Sequence, residues 1–255
     1  MSVARPVSLP LPRHDERIPP LEPGDHLSRA EFERRYEAMP HLKKAELIEG
    51  VVYMPPPVSQ ENHSGPHFDL IGWLSVYRAG TPGIHGGDNG TIRLDLDSEP
   101  QPDAFLYILP SHGGQARISA DDYIEGAPEF VAEIAASSAS YDLHVKKRAY
   151  RRNNVREYLV WRVFDRSIDW FVLRGGEYVP LLPASDGLHW SEALPGLCLD
   201  APALLRRDLL PVMQRQQQAL NDPRHAAFIA RLGSTRRILF PLPPGETISN
   251  DGGAA

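Results

Sequence analysis

Between Pro128 and Arg156 the chain reads as a short apolar run, a small-residue turn and a basic amphipathic stretch. Glu129-Phe-Val-Ala-Glu-Ile-Ala-Ala is apolar after its first residue except at Glu133, the pattern of a strand covered on both faces. A carboxylate inside such a strand is costly to desolvate unless a charge meets it. A metal ion or a lysine would meet that need; an edge strand with Glu133 in water is the plain alternative. In the basic stretch, at about 100° per residue, Leu143, Val145, Ala149 and Tyr150 share one side with Lys146 near its middle, while Arg148, Arg151 and Arg152 point away. Lys146 is therefore aimed at the protein body, as a partner for Glu133 or as a stem snorkelling over apolar surface.

Ser28-Arg-Ala-Glu forms a capping box that opens a helix to about Met39. Two short β runs flank Gly50, predicting a hairpin or bulge; Glu46 and Glu49 fall on opposite faces, so only one of them looks into a shared site. A helix is predicted from about Gln60 to Arg78, weakened at first by Gly65 and Pro66. His63 and His67 lie four apart, a two-ligand spacing on a good helix, but the intervening Gly-Pro argues against that use. Gly80 to Asn89 is turn-rich, Thr91 to Leu96 alternates as a half-buried strand, and Asp103 directly precedes a strand-like run. Asp121 to Gly126 reads as a linker, and Arg156 to Trp161 as a strand. Ser167–Arg174 and Glu177–Leu182 read as a hairpin around Gly175-Gly176. Helical signals continue from about Ala201, over Gln214–Leu220 and over Asp222–Leu232. The proline-rich residues 1–25 predict a flexible arm, 26–205 a folded domain, and 206–255 a helical extension with a loose tail from Pro241.

Composition narrows the class. A chain of 255 residues with 42% hydrophobic and 24% charged positions suits one domain with appendages. The net charge of −6 does not mark a nucleic-acid binder, so any such role rests on local basic patches. Cys198 stands alone, excluding an internal disulfide or a cysteine metal cluster. No run approaches the ~18 apolar residues of a membrane span, and no apolar signal core opens the chain, so the expected location is cytoplasmic, away from membranes.

Asp103, Glu133 and one of Glu46 and Glu49, with Lys146, make a donor set for a hard divalent cation such as Mg²⁺ or Mn²⁺. Such a site can activate water and stabilise charge on a phosphodiester. Lys147, Arg148, Arg151 and Arg152 are candidate phosphate contacts. A solvated helix face and a homodimer contact with an acidic surface are the competing readings of that basic run.

Five short motifs stand in order: Ala45-Glu-Leu-Ile-Glu-Gly-Val-Val-Tyr-Met-Pro-Pro-Pro, Gln101-Pro-Asp, Ala127-Pro-Glu-Phe-Val-Ala-Glu-Ile, Asp142 with Lys146, and Val155-Arg-Glu-Tyr-Leu-Val-Trp. From about Ser28 to Leu205 the chain resembles the Uma-two family of restriction endonucleases, a branch of the PD-(D/E)XK nuclease superfamily. The resemblance implies an α/β (α+β) fold, a mixed β-sheet flanked by helices around a restriction-endonuclease-like core. It implies Asp103 and Glu133 as metal ligands, Glu46 or Glu49 as a further acid, and DNA as substrate. The superfamily lysine lies two residues after the strand glutamate, a position held here by Ala135; Lys146 on the following helix matches the family instead. His63 also matches a family position. Ala136-Ser-Ser replaces the family's usual serine-proline-serine. The leading expectation is a metal-dependent DNA endonuclease, and the alternative is an inactive nuclease-like fold that binds nucleic acid or assembles with protein.

Overall fold

A computed structural model describes residues 18–239. The expectations for the arm before residue 18 and for the tail after 239 lie outside the described residues. Helix α1 (Arg29–Glu37) starts at Ser28, whose Oγ accepts from Glu31 N at 3.4 Å. Only half of the capping box forms, because the Glu31 carboxylate turns to Arg34 and Arg35. Strands β1 (Glu46–Ile48) and β2 (Val51–Tyr53) make the expected hairpin, with Ile48 opposite Val51. Its two turn residues, Glu49 and Gly50, have φ of 51° and 79°, the left-handed pair that a tight hairpin turn needs. A wide π-helical turn over Gln60–Ser64 leads into α2 (Gly65–Ala79), and Pro66 sits in the first turn, where its missing N–H costs nothing.

Two stretches differ from expectation. The turn-rich segment contains strand β3 (Ile84–Gly87), because its glycines admit a backbone that any side chain would block: a Cβ on Gly86 would lie 2.5 Å from Phe105 O. The alternating stretch yields only the two-residue β4 (Ile92–Arg93), since Leu94 N turns back to Ser98 O at 3.0 Å. The chain continues through β5 (Ala104–Ile108), β6 (Arg117–Ile118), β7 (Ile124–Glu125) and β8 (Phe130–Ala135). Next come the short α3 (Ala139–Tyr141), a π-helical turn over Asp142–Lys146 and α4 (Lys147–Arg152). Beyond them lie strands β9 (Glu157–Arg162), β10 (Ser167–Arg174), β11 (Glu177–Pro180), β12 (His189–Trp190) and β13 (Cys198–Leu199). Helices α5 (Ala201–Leu205), α6 (Leu209–Ala219) and α7 (Pro223–Leu239) close the described chain.

The main sheet is mixed, in the order β11-β10-β9-β8-β5-β3, with β8 and β9 parallel and the other neighbours antiparallel. Period-2 alternation sorts its two faces. Phe130, Ala132 and Ile134 of β8 pack with Trp73 and Tyr77 of α2, and Val212, Phe228 and Leu232 of α6 and α7 join the same core. Through Val212, Phe228 and Leu232, the segment read as an extension thus helps to cover the sheet. Val131 and Ala135 point the other way, toward Tyr150, Val155 and Tyr158. A third cluster, around Phe32, Leu47 and Val52, ties α1 to the hairpin.

Buried polar groups find partners within this frame. Glu157, fully buried at the start of β9, accepts from Glu192 N at 2.6 Å, Ala193 N at 2.9 Å, Ser191 Oγ at 2.8 Å and Trp170 Nε1 at 3.2 Å. Trp73 Nε1 donates to Cys198 O at 2.7 Å, and Cys198 N donates to Gln216 Oε1 at 3.0 Å, stitching α2 and α6 to β13. The Cys198 thiol is fully buried, and burial pushes it up to about 12. Among the described residues no helix is long and apolar enough to cross a membrane.

Candidate active site

Register brings the two principal acids together. In the antiparallel pair of β5 and β8, Ala104 stands opposite Ala132, so Asp103, one step back, stands opposite Glu133. Alternation puts both on the Phe105–Val131 face of the sheet. The crossover from β8 to the parallel β9 lays α3, the π-helical turn and α4 over that same face. Lys146 Nζ then lies 3.0 Å from Glu133 Oε1, 2.9 Å from Glu46 Oε1 and 3.9 Å from Asp142 Oδ1. Glu133 and Lys146 are 3% and 4% exposed, which rules out both the solvated edge strand and the snorkelling stem.

The surrounding hydrogen bonds hold each group in place. Tyr150 Oη donates to Glu133 Oε1 at 2.9 Å, Gln101 N to Glu46 Oε1 at 2.7 Å, Ser138 Oγ to Asp142 Oδ2 at 2.6 Å and Ile134 N to Asp103 Oδ2 at 2.7 Å. Asp103 Oδ1 is buried and has no hydrogen-bond partner; His63 Nε2 lies 3.3 Å away, an ion-pair distance without hydrogen-bond direction. His67 instead donates from Nε2 to the Asp103 carbonyl at 2.6 Å, so the two histidines do not form a shared metal site. A cleft of about 320 Å³ opens onto the group, walled by Tyr53, Pro55, Pro56 and Tyr141.

Some sequence candidates are brought in and others are not. Glu46 faces the cleft; Glu49 does not, because it occupies the hairpin turn and pairs with Arg148 at 2.9 Å and with Arg152 at 3.6 Å. The proposed phosphate contacts are engaged elsewhere. Arg148 is held by Glu49, Arg151 by Glu177, and Arg152 by Asp95 and Asp97 at 2.8 and 2.6 Å. Lys147 Nζ sits 3.3 Å above the Phe171 ring. The three arginines answer acids on the outer side of the crossover and Lys147 lies over a ring, so the sequence assignment of Lys147, Arg148, Arg151 and Arg152 to phosphates is not supported by where they lie. Tyr150 and Ser138 had no assigned role; the four-residue step from Lys146 to Tyr150 on a helix was the available signal for the former.

Charge is out of balance in the cleft. Burial, with repulsion from Asp103, Asp142 and Glu46, pushes Glu133 up to about 8 despite Lys146. Asp142 is raised, chiefly by burial. Burial alone would also raise Asp103, but His63, the Lys44 charge and the Ile134 N–H outweigh it and bring that carboxyl to about 2. Lys146 is held protonated: burial opposes its charge, and Glu133, Glu46 and Asp142 overcome that opposition.

Donor chemistry tests whether a divalent cation fits. Asp103 Oδ1 is an orphaned buried anionic oxygen beside a second carboxylate that carries excess negative surroundings, and both are hard oxygen donors. Among the described residues no group of three or more ligating side chains is already gathered for a metal. Two carboxylates suffice for Mg²⁺ when waters or other oxygen donors complete the shell, so the residues fit a divalent cation whose remaining donors come from outside the chain.

Comparison with known proteins bears on the same residues. The family model for Uma2, described as "Putative restriction endonuclease", matches residues 29–202. The chain belongs to the Uma2 family. All the cleft acids, Lys146 and His63 fall within the Uma2 span, and α6 and α7 lie beyond it. A crystal structure titled as a putative nuclease belonging to DUF820, from Anabaena variabilis, is similar with a TM-score of 0.48 and 13% identity over 73% of this chain and 97% of that one. No curated protein matches.

Proposed function

We propose that this Uma2 protein hydrolyses DNA phosphodiester bonds with Mg²⁺ or Mn²⁺ held by Asp103 and Glu133, in the manner of the PD-(D/E)XK nucleases. The observation that supports this reading most is the juxtaposition of Asp103, the residue before β5, with Glu133 of β8, with Asp103 Oδ2 accepting from Ile134 N at 2.7 Å and Lys146 Nζ 3.0 Å from Glu133. When bound, the cation supplies a Lewis acid and water of lowered pKa. The chain supplies the rest. Ile134 N–H fixes one oxygen of Asp103 and leaves the other free for a ligand. Tyr150 and Lys146 orient the Glu133 carboxylate, and Lys146, kept charged by its three acids, is the donor placed to meet negative charge growing on a phosphate oxygen. Pro55, Pro56 and Tyr141 exclude bulk water from one side of the cleft.

One observation favours the alternative of a nucleic-acid-binding module: Lys146 already satisfies Glu46 and Glu133, as an internal counter-ion would in an inactive relative. Nicking of supercoiled and linear DNA with Mn²⁺, Mg²⁺ or chelator separates the two readings. The nuclease reading expects metal-dependent cleavage that falls at least about a hundredfold in Asp103→Asn. In that variant the Ile134 hydrogen bond can persist, so the melting temperature should move by only a few degrees. Absence of cleavage by folded wild-type protein over a broad DNA panel would overturn it.

A further inference from the structure

Beside the cleft, and continuous with it through Lys44, Pro55, Pro56, His63, Ser137 and Ser138, lies a larger groove of about 770 Å³. Its walls are of three kinds. Leu42, Pro57 and Phe164 give apolar surface; Ser59, Asn62 and Asn89 give neutral donors and acceptors; Lys43 and Lys44 give positive charge. Phe164, at the turn between β9 and β10, is 63% exposed, and Val58, also lining the groove, is 61% exposed. Neither contributes to a described core cluster.

The charge differs from that on the outer face of the crossover. There each arginine is answered by a carboxylate. Lys43 has no acidic partner among the described residues, and Lys44, whose charge also acts on Asp103, makes no ion pair there and donates from Nζ to the neutral Asn89 Oδ1 at 3.3 Å. A groove with lysines outside any ion pair, an exposed ring and amide side chains suits a phosphate followed by an unstacked base. A continuous duplex, with its bases stacked inside, has no use for a concave pocket with an aromatic wall.

We infer that the groove holds one or more unpaired nucleotides next to the scissile phosphate, so that the substrate is single-stranded or locally opened DNA, with Lys43 and Lys44 on the phosphates and Phe164 against a base. This rests on the nuclease reading and deepens it by naming the form of the substrate. It also moves the phosphate contacts from the arginines of the crossover to the start of β1.

Fluorescence anisotropy with the full chain in EDTA tests it, using a single strand, the matching duplex and a duplex with a central unpaired bubble; cleavage with Mn²⁺ is scored separately. The single strand and the bubble should bind at least about tenfold tighter than the duplex. Phe164→Ala should weaken them by roughly fivefold to a hundredfold, the loss of one stacked base, and leave duplex binding unchanged. Lys43→Ala should reduce the salt dependence of single-strand binding by about 0.7 in the log–log slope. Both side chains are exposed, so neither variant threatens the fold. Duplex bound as tightly as single strand, with Phe164→Ala silent, overturns this inference while leaving nuclease activity standing if Mn²⁺ cleavage persists. No binding of any oligonucleotide, with no cleavage, overturns both.

Discussion

Lys146 is a buried cation held among Glu46, Glu133 and Asp142, and removing it leaves those acids facing one another without an answering charge. Breaking such a group from one side costs about 3–5 kcal/mol. Lys146→Met should therefore lower the melting temperature strongly at pH 8 and less at pH 5, where Glu133, raised to about 8, carries a proton; equal losses at both values would contradict the charge argument. Glu133 carries its own pH signature. Its carboxyl is raised from 4.5 to about 8, so between those values the folded chain keeps a proton that the unfolded chain has released. Stability from this group is fully present below about 4.5, declines as pH rises and levels off above 8. Glu99, raised to about 8, slopes the same way, so the measurement is a difference: urea midpoints in chelator at pH 5, 6.5 and 8 should fall less steeply for Glu133→Gln than for wild type. Much of this residue-scale picture was legible in the sequence. Glu133 in an apolar run and Lys146 on an apolar helix side each demanded a partner, and they are each other's. What periodicity did not convey is which side-chain charges are already spent. Arg148, Arg151 and Arg152 point outward as the helical period requires, but their carboxylate partners come from distant segments, and no local pattern announces those.

At the scale of elements, the π-helical turn over Asp142–Lys146 adjusts the crossover so that Asp142, Lys146 and Tyr150 all reach inward; Lys147 N bonds back to Asp142 O, one residue beyond the α-helical partner. Deleting the exposed His144 takes one residue out of this turn and rotates Asp142 by about 100° relative to Lys146 and Tyr150. Helical content by circular dichroism should survive, while any metal-dependent cleavage should fall by about a hundredfold or more; full activity would show that the wide turn is dispensable. The hairpin of β1 and β2 was readable from Gly50, and its two-residue turn decides between Glu46 and Glu49 by sending them to opposite sides. Strand β3 was not readable, because glycines that permit close approach to β5 look the same in sequence as glycines that make turns. The parallel pairing of β8 with β9, which lays the crossover over the acids, also has no local sign; it is a choice made by the whole sheet.

For the molecule as a whole, α6 and α7 lie beyond the Uma2 span yet complete the core. Val212, Phe228 and Leu232 are each nearly fully buried, worth about 1.5–3 kcal/mol apiece. Their sum, roughly 5–9 kcal/mol, matches the total stability of an ordinary domain, about 5–15 kcal/mol. A chain ending at Arg207 should thus lose cooperative urea unfolding; a sharp transition at an unchanged midpoint would show that the family span folds unaided.

Cys198 gives this dependence an internal clock. Of all 255 side chains it alone bears a thiol, fully buried where α2 and α6 are bonded to β13, with its ionisation pushed up to about 12. In the closed molecule an alkylating reagent finds neither access nor thiolate. The rate at which iodoacetamide labels the protein therefore counts how often the C-terminal helices lift away from the sheet. Measured across denaturant, that rate separates a partial opening of this corner from unfolding of the whole chain.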